Sequence, residues 1–150
     1  VSFVGAGLLG FAHTLPQTNL YTHGTLVTAM HGHLAFWGAY AMIVLAIISY
    51  SLPNMTGRKL YDSATGRMAY WFSNIGMIGM TVAFGVAGVA QVYLERKFGM
   101  DFMTVQKEIS IHFVVLIICA SLFAAGIIMY IVDFYKHGTP TDEALEIKTI

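Results

Sequence analysis

A run from Met30 to Tyr50, MHGHLAFWGAYAMIVLAIISY, is apolar enough to cross a membrane, yet it carries two histidines, His31 and His33, at its head. Its length matches the about 20 residues a spanning helix needs, and it contains no internal proline, so it reads as a helix. Each helical residue turns the side chain by about 100°, so two residues apart means roughly 200°. His31 and His33 therefore point away from each other. One metal ion gripped by a single helix wants ligands at i and i+3 or i+4, as in HExxH. An HxH pair instead suits two centres, one on each side of the helix. A neutral imidazole can offer one ring nitrogen to iron when its other N–H finds a partner. Gly32 between them carries no side chain, which lets large flat cofactors approach the backbone. The competing reading is that one or both are core histidines satisfied by hydrogen bonds. Polar groups in hydrocarbon are costly and concentrate at functional sites, which favours the functional reading for a pair this deep.

The surrounding composition supports a membrane setting. Of the 150 residues 57% are hydrophobic and only 11% charged, against roughly 25% charged in an average soluble domain. The expected fold is all-α, a polytopic transmembrane helical bundle forming part of a single membrane domain. Formal net charge is zero, and no basic block interleaved with aromatics appears, which excludes a nucleic-acid partner. The single Cys119 sits in the apolar run IHFVVLIICASLF, so the chain offers neither a disulfide framework nor a thiolate metal cluster. It opens at Val1 inside an apolar stretch without the basic start of a signal peptide. It reads as a piece of a longer chain.

In order, the chain predicts one truncated and three full helices, over about 1–15, 25–52, 67–96 and 104–135, followed by a polar tail over 136–150. The first carries Gly5, Gly7 and Gly10, which suit close helix packing, and ends with an interfacial His13 before Pro16. The polar linker PQTNLYTHGT holds His23 near one membrane face, with Thr22 or Thr25 placed to cap the next helix. That second helix is expected to end before Pro53, because proline disfavours helix at the preceding residue. Phe36, Trp37 and Tyr40 follow the paired histidines and either wall a cofactor pocket or pack in the bundle. The third helix has a small-residue face of Gly76, Gly79, Gly85 and Gly88, belt aromatics Tyr70, Trp71 and Tyr93, and Asn74 and Gln91 suited to interhelical hydrogen bonds. In the last helix Lys107, Glu108 and Asp133 lie near the ends, where charges reach the interface. His112 reads as a hydrogen-bonded helix contact. Arg58, Lys59, Arg67, Lys136 and Lys148 outnumber Arg96, Lys97 and Lys107, so the middle loop and tail are expected on the cytoplasmic side and the histidine-bearing end on the other.

The stretch YTHGTLVTAMHGHLAFWGAYAMIVLAIISYSLP resembles the tenth transmembrane helix of the catalytic subunits of cytochrome c-dependent nitric oxide reductases, within the haem-copper oxidase superfamily. The segments through VAGVAQVYLER and IIMYIVDF resemble the last two helices of those subunits, so the likeness covers nearly the whole chain. It implies part of a twelve-helix fold. It also implies that His31 is the proximal, catalytic ligand of a high-spin b-type haem, that His33 is an axial ligand of a low-spin b-type haem, and that His23 lies near the haem propionates. Oxygen-reducing relatives often carry Phe between the paired histidines, and Gly32 favours the nitric oxide branch. Helices corresponding to the first two-thirds of such a subunit are absent from this sequence. The residues holding a non-haem iron, and the opposite low-spin ligand, would therefore lie outside this chain.

The resemblance implies an oxidoreductase that reduces two nitric oxide molecules to nitrous oxide and water during denitrification, acting only as part of the complete subunit. Its implied setting is the bacterial inner membrane, with the lipid bilayer, the rest of the catalytic subunit and a membrane-anchored cytochrome c subunit as partners. Two rivals are an oxygen-reducing oxidase subunit, which would share His31 and His33, and a membrane scaffold fragment that binds no haem.

Overall fold

The computed structural model describes residues 2–56 and 64–136. Among these every regular element is a helix: α1 (Ser2–Thr14), α2 (Pro16–Thr22), α3 (Leu26–Ala35), α4 (Met42–Thr56), α5 (Ala64–Gln91), α6 (Phe102–Glu108) and α7 (Ser110–Lys136). A wider π-helical stretch, Phe36–Ala41, joins α3 to α4, and another, Val92–Lys97, extends α5. Three continuous rods are long and apolar enough to span a bilayer: Leu26–Met55, Ala64–Lys97 and Ser110–Tyr135. The chain is thus an all-α bundle of membrane-spanning helices with the shorter α1 beside it.

Several boundaries differ from those read in the sequence. Pro16 begins a helix, since at the first helical position its missing N–H would be unpaired anyway, and the expected linker is largely α2. The helix that follows the paired histidines does not stop before Pro53 but runs through it, α4 ending at Thr56. Pro53 is less than 2% exposed, so packing offsets the lost ladder bond, and Asn54 Nδ2 donates to the Tyr50 carbonyl at 2.7 Å across the same turn. The last helix is two helices, broken at Ile109 with φ −90° and ψ 7°. Lys107 and Glu108 belong to the short α6 and are exposed. His112 therefore lies in the first turn of α7, where its Nδ1 is 3.2 Å from the Ile109 carbonyl, the hydrogen-bonded helix contact expected of it. Arg58, Lys59, Lys148 and the tail over 137–150 lie outside the described residues.

The small-residue face expected on α5 is two faces. Gly76 and Gly85 are nine residues apart, which is about 900°, or half a turn beyond two full turns. A Cβ on Gly76 would stand 2.5 Å from the Phe123 nitrogen and 2.7 Å from the Cys119 carbonyl, both backbone atoms of α7. One on Gly85 would meet Met30 Sδ at 2.7 Å, and one on Gly88 would collide with the backbone nitrogen of Val27. Gly126 returns the close approach from α7 onto Ser73. α5 is thereby clamped between α7 and the histidine-bearing α3. Between them lies a core of Trp37, Met77, Met80, Ala83 and Leu116, with Trp37 edge-on to Phe123 at 4.9 Å.

Asp133 also departs from expectation. Instead of reaching the interface it is 4% exposed and lines a cavity of about 320 Å³ between α4, α5 and α7, together with Arg67, Ser49, Tyr70 and Tyr130. The reason is rotational: its face of α7 looks into the bundle. Neither Asp133 nor the exposed Arg67 is without an interaction partner, and a buried polar group such as Asp133 requires one.

Candidate functional site: a histidine pair divided between two helices

α3 is the element that presents the site, and its start is fixed from outside. Thr25 occupies the N-cap position, but its hydroxyl does not cap; it donates backwards to the Thr22 carbonyl at 2.7 Å. Thr28 Oγ1 donates to the same carbonyl at 3.0 Å. The expected threonine cap is replaced by Gln91, whose Oε1 accepts the Leu26 N–H at 2.9 Å while its Nε2 donates to Glu95 Oε1 at 2.9 Å. Gln91 is 3% exposed, so this bond is shielded from competing solvent. Asn74, the other polar residue of this span, has its Oδ1 3.5 Å from Trp37 Nε1, and its Nδ2 donates to the Tyr70 carbonyl at 2.8 Å.

One turn and a half along α3 the two imidazoles diverge, as the helical angle requires. His33 faces α5, its ring 4.7 Å from that of Phe84 and inclined by 38°. Its Nδ1 lies 2.8 Å from the Ala29 carbonyl; since a carbonyl only accepts, Nδ1 carries the proton and Nε2 keeps its lone pair. His31 faces α1, its ring 5.4 Å from that of His13 at 73°. A Cβ added to Gly10 would lie 3.2 Å from His31 Cε1 and 3.5 Å from Nε2. The Nδ1 of His31 is buried and has no hydrogen-bond partner among the described residues. Around Gly32 an added Cβ would meet nothing within 4 Å.

Immediately after the pair the helix widens into the π-helical stretch, in which bonds reach five residues back, as from the Met42 N–H to the Trp37 carbonyl. Such stretches shift the register of the residues beyond them and recur at functional sites. Here the shift turns Trp37 into the core at 7% exposure, whereas Phe36 and Tyr40 remain 72% and 68% exposed. Of the three aromatics, Trp37 is thus a packing residue and the other two face outward.

His23 stands apart from the pair. It ends α2 and is exposed. Its backbone rather than its ring is tied down: the N–H donates to the Asn19 carbonyl at 2.9 Å, and its carbonyl accepts from Arg96 Nη2 at 3.3 Å. Gly24 follows with φ +74°, a left-handed turn that glycine adopts without strain and that redirects the chain into α3. No group of three or more histidine, cysteine or acidic side chains able to hold a metal ion occurs among the described residues. His13, read as interfacial, was not paired with His31 in the sequence; on α1 it lies three residues from Gly10, so the two share a helix face.

The family model for Cytochrome C and Quinol oxidase polypeptide I matches residues 1–122. The chain is 40% identical over 145 residues to a nitric oxide reductase subunit of Stutzerimonas stutzeri, covering 91% of this chain and 31% of that protein. It is 28% identical over 79 residues to cytochrome c oxidase subunit 1 of Corynebacterium diphtheriae, covering 53% of this chain and 14% of that protein. It therefore spans less than a third of the length of either relative.

Proposed function

The chain belongs to the Cytochrome C and Quinol oxidase polypeptide I family, and from that premise we propose that it is the haem-binding part of a membrane nitric oxide reductase. The complete protein would catalyse 2 NO + 2 e⁻ + 2 H⁺ → N₂O + H₂O. The observation that carries the reading is the division of His31 and His33 between α1 and α5, which gives one helix two ligands for two separate flat cofactors.

His33 fits such a group. His33 has the arrangement of a neutral axial ligand: Nδ1–H is held by the Ala29 carbonyl at 2.8 Å, and Nε2 is left to coordinate a low-spin b-type haem. His31, whose Nδ1 is buried without a hydrogen-bond partner among the described residues, is the candidate for the high-spin b-type haem; its Cε1 and Nε2 lie against Gly10, so a haem on Nε2 would require α1 to stand further off. Because both ligands leave one helix within three residues, the backbone of α3 would fix how the two imidazoles are presented to such groups. When bound, the high-spin haem, with a non-haem iron held outside this chain, would supply the metal centre for coupling two nitric oxide molecules. His23, at the entrance to α3, is the candidate partner for haem propionates. Higher identity to the nitric oxide reductase relative than to the oxygen-reducing one, 40% against 28%, and the glycine between the ligands favour nitric oxide as substrate.

The spans expose much apolar surface, including Ile43, Ile47, Val82, Val86, Ile117 and Ile118, which suits lipid and the other helices of a complete subunit. A bacterial inner membrane and a membrane-anchored cytochrome c partner complete the reading. Its test is spectroscopic, in the full-length protein. His33→Ala should abolish the low-spin haem signal in reduced-minus-oxidised spectra and leave the high-spin signal. His31→Gly should do the reverse and abolish nitric oxide consumption at an electrode. An undiminished low-spin band in His33→Ala would remove the assignment.

A further inference from the structure

The spanning rods turn different kinds of surface outward. On α5 the exposed stripe is aliphatic through its middle, at Ile78, Val82, Val86 and Val89, with Trp71 and Tyr93 towards its ends, the distribution of a face that meets lipid. The rod that carries the histidines is the least buried of the three, and its exposed residues Phe36, Tyr40, Ile43, Ile47 and Tyr50 depart from that distribution. Tyr50 lies near the end of the rod. Tyr40, however, is 14 residues from Leu26 and 15 from Met55, roughly 21 Å from either end at 1.5 Å per residue. Its hydroxyl thus lies deep in a hydrocarbon layer about 30 Å thick and makes no hydrogen bond among the described residues. Ser121, also exposed in mid-span on α7, meets the same demand by donating to the Ile117 carbonyl of its own helix at 2.8 Å. The phenol of Tyr40 holds its oxygen too far from its own backbone to do so.

We infer that the Tyr40 face of this rod is an interface with another membrane helix, which presents a polar side chain to the Tyr40 hydroxyl and belongs to the part of the subunit outside this chain. Acyl chains offer a hydroxyl no partner, and leaving it unpaired in hydrocarbon is costly; a polar residue on a neighbouring helix removes that cost. The chain spans 31% of the length of the reductase relative, so the remainder of such a subunit would supply the helix. The inference rests on the reading of the chain as one part of a larger membrane subunit, and on neither histidine holding a haem. It divides the open apolar surface in two, the Val82 side of α5 facing lipid and the Tyr40 side facing protein.

The test uses the full-length protein and turns on a sign. Tyr40→Phe removes only the hydroxyl, and should lower the unfolding midpoint in mixed micelles because the partner helix loses its bond. At a lipid-facing position the same change would relieve an unsatisfied group, so an unchanged or raised midpoint overturns the inference. The occupant is identified by photo-crosslinking in lipid nanodiscs, followed by mass spectrometry. Benzoylphenylalanine in place of Tyr40 should join to a peptide of the same subunit outside residues 1–150, whereas in place of Val82 it should join to lipid. An adduct from position 40 to lipid, to haem or to a peptide of a second copy of this chain overturns the inference. Should the bulky group prevent accumulation, the sign of the Tyr40→Phe shift decides alone. Optical spectra of the same preparations report separately on the proposed function: if haem bands are missing, that reading fails while the adduct from position 40 still decides this one.

Discussion

The side-chain carbonyl of Gln91 accepts the backbone N–H of Leu26 at 2.9 Å, so the helix that carries the two histidines is capped by a residue 65 positions away at the end of another span. A bond that joins the end of α5 to the first turn of α3 fixes where that helix begins. Through it the end of α5 helps to set the height of His31 and His33 in the membrane.

Replacing this residue tests the point. Gln91→Ala leaves the Leu26 N–H without its buried acceptor and Glu95 without its donor, and an unsatisfied buried group costs about 1–3 kcal/mol. The variant should unfold at a correspondingly lower denaturant mole fraction when followed by circular dichroism in mixed micelles. Unchanged stability would mean that another acceptor, such as a lipid-bound water, takes over.

The glycines of the bundle should split into two classes. At Gly76 a methyl group would press on backbone atoms of α7 at 2.5 and 2.7 Å, which cannot swing aside as a side chain does, so Gly76→Ala should cost at least the about 1–3 kcal/mol of ordinary overpacking. At Gly32 nothing of this chain lies within 4 Å of the added atom, and Gly32→Ala should be neutral or stabilising by up to about 1 kcal/mol through helix propensity. The same micelle titration ranks the two. Gly32→Phe probes the cofactors instead: haem content per protein should fall with Phe and hold with Ala if flat groups approach the backbone there.

A pH effect is expected at the start of α6, outside the spans. Asp101 caps this helix, accepting from Thr104 Oγ1 at 2.6 Å and from the Thr104 N–H at 3.1 Å. The side-chain bond from Thr104, aided by backbone N–H groups, holds its carboxyl below the ordinary value. For a carboxylate whose folded pKa is depressed, the stabilisation is fully present above the unfolded value, about 3.9 for Asp, and is lost as pH falls through the lower folded value. Protection of the Thr104 amide against hydrogen exchange, extrapolated across pH, should therefore hold at neutrality and fall in that acid window. In Asp101→Asn, which caps without titrating, it should not show that fall.

The membrane class and the opposed directions of His31 and His33 are legible in the sequence because both are local. The first follows from runs of apolar residues, and the second from 100° per residue on a helix with no break between positions 31 and 33. The presence of three spanning rods follows in the same way. What lies against each ring is a different matter. The contacts of His31 with His13, of His33 with Phe84 and of Leu26 with Gln91 depend on how separate helices are rotated and staggered against one another. Helical periodicity fixes that rotation within a rod and leaves it free between rods. For this reason the sequence did not pair His13 with His31, left Asp133 at the interface and put the α5 glycines on one face. The packing set the His13 ring against His31, turned Asp133 inward, and divided the glycines between α3 and α7. Pro53 belongs with them, because continuation of the helix through a proline is decided by burial against neighbouring rods, a tertiary stabilisation that overrides the local preference for a break.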